Sequence, residues 1–99
     1  MEYEFDAALW HENNRTVNWT LVSLPTDMAD EILDLAGPLA RGFGSLRVDV
    51  MIGNSTWRTS IFPDSKRGTY ILPIKEPVRR AENLDTGDTA AIRITLVDA

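Results

Sequence analysis

Two leucine–proline steps, Leu24-Pro25 and Leu72-Pro73, most constrain how this chain can fold. Proline has no backbone N–H and fixes φ, so a strand cannot continue through the centre of a sheet at such a residue. An alternating segment ends at each step, a short helix-like segment follows, and a second alternating segment comes after it. The sequence therefore predicts a unit of strand, helix and strand that occurs twice, with an offset of 48 residues between the two prolines.

Alternation of apolar and polar residues predicts the strands. The alternation is clear in three segments and weaker in three more: residues 3–10, 46–52, 89–97, 17–24, 56–62 and 69–72. In the segment 17–24 we assign Val17, Trp19 and Leu21 to the inner face, and residues 11–15 are interpreted as a polar turn. We expect one shared core from the two strongest later strands: Leu46, Val48, Val50, Ile52, Ile92, Ile94 and Leu96.

Helical spacing predicts two short helices, over residues 27–36 and 76–83. In the first, one apolar arc is expected to consist of Met28, Ile32, Leu33 and Leu35. Two such units would form a pseudo-symmetric, mainly β structure with one helix covering each end. A closed or nearly closed barrel also removes the exposed strand edges that a small β domain must protect. The 99 residues are expected to form a single domain.

Composition narrows the environment and the chemistry of the protein. The absence of cysteine excludes disulfides and cysteine-based zinc sites. No apolar run approaches the ~20 residues of a membrane-spanning helix, and no signal-peptide pattern opens the chain, so we expect a cytoplasmic protein with no membrane partner. The net charge of −5 is uneven, because residues 58–80 carry a balance of +4 and the remainder carries −9.

The C-terminal unit resembles the DNA-binding unit of AbrB-type transition-state regulators. Leu72-Pro73, Val78-Arg79, Leu84 and Gly87-Asp88 match their signature of strand, proline stop, short helix and Gly-Asp turn. That resemblance implies a double-split β-barrel and a role in binding DNA.

A second resemblance covers almost the whole chain. It is carried by four runs and their neighbours: Gly44-Ser45 with Val48 and Val50, Trp57 with Thr59-Ser60, Gly68 with Tyr70 and Leu72-Pro73-Ile74-Lys75, and Val78-Arg79 with Gly87-Asp88. These residues resemble a bacterial family catalogued as a domain of unknown function, number nineteen hundred and five. The resemblance implies a double-split β-barrel within a single chain, with a helix capping each end, and it implies no activity.

The sequence gives little support for a catalytic function. The sequence has no nucleophile elbow, no phosphate-binding glycine loop and no metalloprotease helix motif, and His11 is its single histidine. We therefore expect no enzyme activity, no catalytic or metal-binding residue and no cofactor. The acidic stripe Asp27, Asp30, Glu31 and Asp34 is interpreted as a solvated helix face, since a calcium site needs oxygen ligands from a loop that folds back.

Two sets of residues are candidates for binding. The basic segment 58–80 could contact nucleic acid or another anion through six side chains: Arg58, Lys66, Arg67, Lys75, Arg79 and Arg80. Trp10 is a candidate protein interface, because alternation directs it away from Phe5 and Leu9.

The sequence thus predicts a small binding or interaction module whose partner, a protein or a small molecule, it does not identify. A nucleic-acid-binding regulator that uses the basic segment is the first alternative. A small-molecule binder or enzyme with a pocket near the glycine-rich loop 37–44 is the second. We expect a monomer or a weak homodimer.

Overall fold

The structure is a computed structural model that describes residues 1–13 and 18–98. Within these residues the chain forms seven strands, two α-helices and two 3-10 turns. The strands are β1 (Glu2–Ala8), β2 (Trp10–Asn13), β3 (Asn18–Ser23), β4 (Leu46–Ile52), β5 (Ser55–Asp64), β6 (Thr69–Pro73) and β7 (Thr89–Leu96). The helices are α1 (Thr26–Ala36) and α2 (Glu76–Ala81), and the 3-10 turns are Gly37–Leu39 and Gly42–Gly44.

The order of the strands forces the sheet to curl. All described pairs are antiparallel, and the order across the sheet is β1-β7-β4-β5-β6-β3-β2. The two end strands, β1 and β2, are separated in the chain by Leu9 alone, so the ends of the sheet must meet. Backbone hydrogen bonds hold this corner, since Leu9 N–H donates to Asp88 O at 2.9 Å and Gly87 N–H donates to Leu9 O at 2.8 Å.

The long strand β5 changes partner in the same way as the β1–β2 segment. Its residues up to Ile61 pair with β4, and from Phe62 onwards they pair with β6. Likewise β1 pairs with β7, whereas β2 pairs with β3. Leu9 and Ile61 hold equivalent places at the two changes of partner, and both are buried. The fold is therefore the predicted mainly β, barrel-like structure, split at two places, with two short helices.

The internal repeat is real, but its register differs from the one that the prolines suggest. Leu24 N–H donates to Tyr70 O at 3.0 Å, and Ile74 N–H donates to Thr20 O at 2.9 Å. These two bonds relate residues 20 and 24 to residues 70 and 74, an offset of 50 rather than 48. Pro73 is the last residue of β6, whereas Pro25 lies after β3, so the residue equivalent to Pro25 is Lys75.

The helices leave opposite ends of one strand pair. β3 and β6 run antiparallel, with Val22 opposite Leu72 at the centre of the repeat. Since α1 follows β3 and α2 follows β6, the two helices begin at opposite ends of this pair, as predicted. The β3–β6 pair is thus the place where the two halves of the barrel are related to each other.

The predicted core is confirmed and the predicted apolar arc of α1 is partly wrong. All seven residues expected in the shared core are buried. On α1 the buried residues are Ala29, Ile32 and Ala36, whereas Leu33 and Leu35 are exposed. Because the alanine side chains are small, the helix backbone can lie close to the barrel. The strip of the helix surface that contacts the barrel is then narrow, and the two leucines beside it remain exposed.

The first hairpin also differs from its prediction. Residues 11–13 belong to β2 rather than to a polar turn, because the chain continues as a strand after the corner at Leu9. Val17 and Arg15, which the sequence assigns to the second strand and to the turn before it, lie outside the described residues.

Val50 tests the inward assignment of β4. Replacing Val50 by Asp would place an unpaired carboxylate in the apolar core, because the valine is 2% exposed. We expect a loss of roughly 4 kcal/mol or more in the free energy of unfolding, measured by chemical denaturation. The matched control is Met51→Asp on the exposed face of the same strand, which should change stability by about 0.5 kcal/mol or less. Equal stability of the two variants would contradict the assignment.

The turn between β4 and β5 contacts the end of α2 through Gly53. The Gly53 backbone has φ +57, and a Cβ there would overlap the Glu82 carboxylate. That carboxylate accepts a hydrogen bond from Ser55 Oγ at 2.6 Å, so it is held in place beside the turn. The positive φ favours glycine at this position, and a Cβ would in addition require the Glu82 side chain to move away.

Alanine at Gly53 should destabilise the protein more than alanine at Gly68. Both glycines have positive φ, but the space around Gly68 is open, so Gly68→Ala isolates the backbone cost of roughly 1–2 kcal/mol. Gly53→Ala must also displace Glu82 from Ser55, at a further cost of about 1–3 kcal/mol. Thermal unfolding should show a melting temperature for Gly53→Ala that is lower by at least about 4 °C than for Gly68→Ala. Identical melting temperatures would show that Glu82 does not hold the turn.

Candidate ligand-binding cleft

Trp19 on β3 lies at the surface, contrary to its predicted inward position. It is 44% exposed, whereas Thr20, Leu21 and Val22 after it are buried. Its indole rests against Phe62, with ring centroids 6.5 Å apart and planes inclined by 37°. A large aromatic side chain that stays half exposed beside a second ring is typical of a binding surface rather than of a core.

A cleft of about 480 Å³ opens beside Trp19. Its apolar walls are formed by Trp19, Phe62, Pro73 and Ile74, and its polar lining includes Lys75 and Arg79 at the start of α2 together with nearby side chains: Asn18, Thr20, Thr59 and Glu76. Protein sites for small ligands commonly have volumes of about 300–1,000 Å³ and combine apolar walls with a few polar groups. The cleft therefore has the size and composition of a small-molecule site.

The charge of the cleft is positive. Arg79 is half-buried, and its Nε–H donates to the backbone oxygen of Ile74 at 3.0 Å, which fixes the guanidinium at the cleft. Glu76 also lines the cleft, but its Oε1 is engaged by Arg80 Nη2 at 2.8 Å. Within residues 1–13 and 18–98, no carboxylate lies within 4 Å of the charged nitrogens of Lys75 or Arg79.

The two halves of the barrel differ most clearly at this cleft. With the offset of 50, Trp19, Ile74 and Arg79 correspond to Thr69, Leu24 and Ala29. Beside α1 those three residues are buried, and Thr69 Oγ1 donates to Leu24 O at 2.7 Å. A hydrogen bond and apolar packing close the space in one half, whereas the equivalent space in the other half is open and lined with an aromatic ring and cations.

Lys66 and Arg67 lie on the other side of Trp19. They line a second cleft of about 370 Å³ together with Trp10 and Asp64. Arg67 Nη1 donates to Asp64 Oδ2 at 2.7 Å, and Glu12 lies 3.9 Å from Arg67. Burial alone would raise the pKa of Asp64, but hydrogen bonds from the side chain and backbone of Arg67 lower it below its ordinary value. Arg67 is thus already neutralised by its own turn.

Trp10, the predicted protein interface, is covered rather than open. Its indole Nε1 donates to Ser23 Oγ at 3.0 Å. The Arg67 guanidinium lies over the ring, 4.1 Å from its centroid, in the geometry of a cation–π contact. The side chain does point away from the core, as alternation predicts, but it is half-buried beneath Arg67.

The remaining two candidate cations, Arg58 and Arg80, are each paired with a carboxylate. Arg58 makes two hydrogen bonds to Asp49 across β4 and β5, at 2.8 and 3.1 Å, and this contact lowers the pKa of Asp49. Arg80 pairs with Glu76, as described above. The basic segment 58–80 therefore does not form one continuous surface. The structure divides it among an outer strand face, the Arg67 turn and the cleft at α2.

The cavity found beside loop 37–44 gives no support to a ligand pocket there. It is lined in part by Ala36, Leu39 and Leu46 and measures about 10 Å³, roughly the space that one water molecule needs. Phe43 projects from the loop with 99% exposure and φ +59. The loop folds into 3-10 turns that bond to themselves, for example Gly44 N–H to Arg41 O at 2.9 Å, and so it encloses no space.

In the part of the chain that the structure describes, no three His, Asp or Glu side chains are close enough to hold a metal ion. His11 lies 3.4 Å from the Thr20 hydroxyl through its Nδ1. The helices of the described residues include none that is long and apolar enough to cross a membrane.

The fold defines a pseudo-symmetric, doubly split β-barrel with one open split. The chain belongs to the family described as domain of unknown function DUF1905, whose model matches residues 5–94. This confirms the resemblance that the sequence shows over most of its length. Comparison with curated proteins gives no match. The AbrB-type likeness of the C-terminal unit is not part of this family match and stays a hypothesis.

Sequence reasoning missed Trp19 because the face of β3 that joins the central core was assigned one residue out of register. Leu21 is buried, as predicted, but it is Val22 and Leu24 that belong to the core cluster, and they correspond to Leu72 and Ile74 in the repeat. An offset of 50, aligned on those apolar pairs rather than on the prolines, would have placed Trp19 outside. A one-residue shift moves every side chain of a strand to the other face.

Duplex DNA is expected to bind weakly. The candidate cations are divided and partly paired, and the chain carries a net charge of −5, so few phosphates can be neutralised together. Fluorescence anisotropy at ~150 mM salt should show no specific complex tighter than micromolar, whereas specific binders reach about 10⁻⁸ M or tighter. Tight binding that the double substitution Arg79→Ala and Arg80→Ala abolishes would instead favour the AbrB-type function.

Proposed function

We propose that this protein is a non-catalytic binding module whose ligand is a small molecule held in the cleft beside Trp19. The observation that carries the proposal is the half-exposed Trp19 ring against Phe62, in a cleft of about 480 Å³ whose counterpart in the other half is closed. The two halves share one fold but differ at this place. The exposed Trp19 forms a wall of the cleft, whereas its equivalent Thr69 is buried.

The composition of the cleft favours binding over catalysis. Its described lining offers the hydroxyls of Thr20 and Thr59 and the carboxylate of Glu76. His11 is not part of this lining, although its Nδ1 lies 3.4 Å from the Thr20 hydroxyl. A nucleophile and its base also need a third group that orients the base, and no carboxylate contacts His11 among the ion pairs of the described residues. The Oε1 of Glu76 is engaged by Arg80 rather than by a threonine hydroxyl of the cleft.

A nucleic-acid partner is supported less well by the same surface. Single-stranded nucleic acid requires several stacking rings along a positively charged groove. Trp10 and Trp19 both lie near the two clefts, but Arg67 covers the Trp10 ring and is itself paired with Asp64. This leaves one accessible indole, which suits one ring of a small ligand.

The proposal can be tested with a neutral aromatic probe, naphthalene-2-carboxamide. Two-dimensional NMR of the labelled protein should show shifts at the Trp19 indole N–H and at the backbone amides of Ile74 and Lys75. Trp19→Ala should weaken binding about tenfold, which corresponds to roughly 1.4 kcal/mol of lost aromatic contact.

The matched control is Phe43→Ala, which removes a fully exposed ring that does not line the cleft. This variant should bind the probe as the unmodified protein does. Shifts that map to another surface, or affinity that does not change in Trp19→Ala, would refute the cleft as the ligand site.

A further inference from the structure

Lys75 and Arg79 give the cleft a second feature that selects the chemistry of its ligand. We propose that the ligand is a planar aromatic anion, with its ring against Trp19 and its carboxylate or phosphate between Lys75 and Arg79. This inference rests on the proposed function, since it names the chemical class that the same cleft would take.

The ring is placed by the apolar walls. Trp19 stays 44% exposed although its ring rests against Phe62, so part of the indole surface is available to the ring of a ligand. Pro73 and Ile74 line the same cleft. A flat aromatic group buries more surface against these walls than an aliphatic chain of the same length and gains the additional attraction of stacked rings.

The anion is placed by the donors of Arg79. Its Nε–H is used by the Ile74 carbonyl, which orients the plane of the guanidinium and leaves the terminal amino groups as the donors that can meet a ligand. A guanidinium edge matches the spacing of two oxygens of a carboxylate or phosphate. Lys75, the residue before α2, adds a second positive charge to the cleft lining.

The surrounding ion pairs keep this positive charge local. Arg80 engages Glu76, the acidic residue of the cleft lining, so that carboxylate is paired with a cation other than Lys75 and Arg79. The remaining acidic charge of the protein acts only weakly at a distance, because the Debye length is about 8 Å at physiological salt. An anionic ligand is therefore attracted at this cleft even though the chain as a whole is acidic.

The number of available cations favours a small ligand over a charged polymer. Arg58 and Arg67 are held by Asp49 and Asp64 and cannot extend a phosphate-binding track from the cleft without losing those partners. Lys66 lines the second cleft, on the other side of Trp19, so the cleft beside α2 itself has two cations. Two cations beside one aromatic wall match a ligand with one ring system and one anionic group.

The test compares two probes that differ mainly in charge. Naphthalene-2-carboxylate and naphthalene-2-carboxamide have the same ring and nearly the same shape. Isothermal titration at ~50 mM and ~300 mM salt should show tighter binding of the carboxylate, by at least about tenfold at the lower salt. Its advantage should shrink at the higher salt, because screening weakens the attraction.

Substitutions separate charge from shape. Arg79→Gln and Lys75→Gln should each weaken carboxylate binding about fivefold or more and leave carboxamide binding within about twofold. Arg79→Lys keeps the positive charge but loses the paired N–H donors of the guanidinium, so its carboxylate affinity should lie between those of Arg79→Gln and the unmodified protein. Arg58→Gln is the control cation, since it lies outside the cleft lining and should change neither affinity.

The outcomes distinguish the two proposals. Equal affinity for both probes at the Trp19 site, or an equal loss of both in Arg79→Gln, would overturn the aromatic-anion inference and leave the binding function standing. Failure of both probes to bind at Trp19 would overturn the binding function itself. Unchanged melting temperatures of the variants ensure that a loss of affinity reports on the cleft and not on unfolding.

Discussion

The antiparallel pairing of β3 with β6 is the interaction on which the rest of the fold depends. Val22 opposite Leu72 marks its centre, and the bonds from Leu24 to Tyr70 and from Ile74 to Thr20 repeat around that point. Because this pair is shared by the two halves, each helix must leave from a different end of it. The remaining strands then have to pass from one side of the barrel to the other, and they do so at Leu9 and Ile61.

These two changes of partner create the splits in the barrel. A strand that pairs with one neighbour along its first part and with another along its second part opens a gap between those two neighbours. Beside α1, the buried residues Ala29, Leu24 and Thr69 cover this gap. Beside α2, the equivalent residues Arg79, Ile74 and Trp19 line it instead.

Ion pairs between side chains determine where positive charge remains on the surface of the barrel. Asp49, Asp64 and Glu76 each hold an arginine of the segment 58–80, and the exposed positions of these pairs mean that each adds little to stability. Their effect is on the surface potential, because a paired arginine attracts a ligand less than a free one. A basic segment in the sequence therefore becomes a small positive site at Lys75 and Arg79 rather than a broad basic face.

The fold class, the strand–helix–strand repeat and the central core could be predicted from the sequence, because alternation and proline stops are local properties of the chain. Val48, Val50, Ile92 and Ile94 could be assigned to the core from their spacing alone. Short segments with apolar residues on both faces, such as residues 18–24, carry no unique register. Only the pairing of β3 with β2 and β6 decided that Trp19 faces outward.

The candidate site could not be predicted from the sequence, because it too depends on contacts between distant parts of the chain. Lys75 and Arg79 were recognisable as part of a basic segment, but a sequence does not show which cation has a carboxylate within reach, since the partner of Arg58 lies on another strand. Nor does it show where a gap stays open, because the volume of a cleft depends on how strands, helices and side chains pack together. The sequence supplied the residues, and the crossing of β5 between β4 and β6 brought Phe62 to Trp19 and made the cleft.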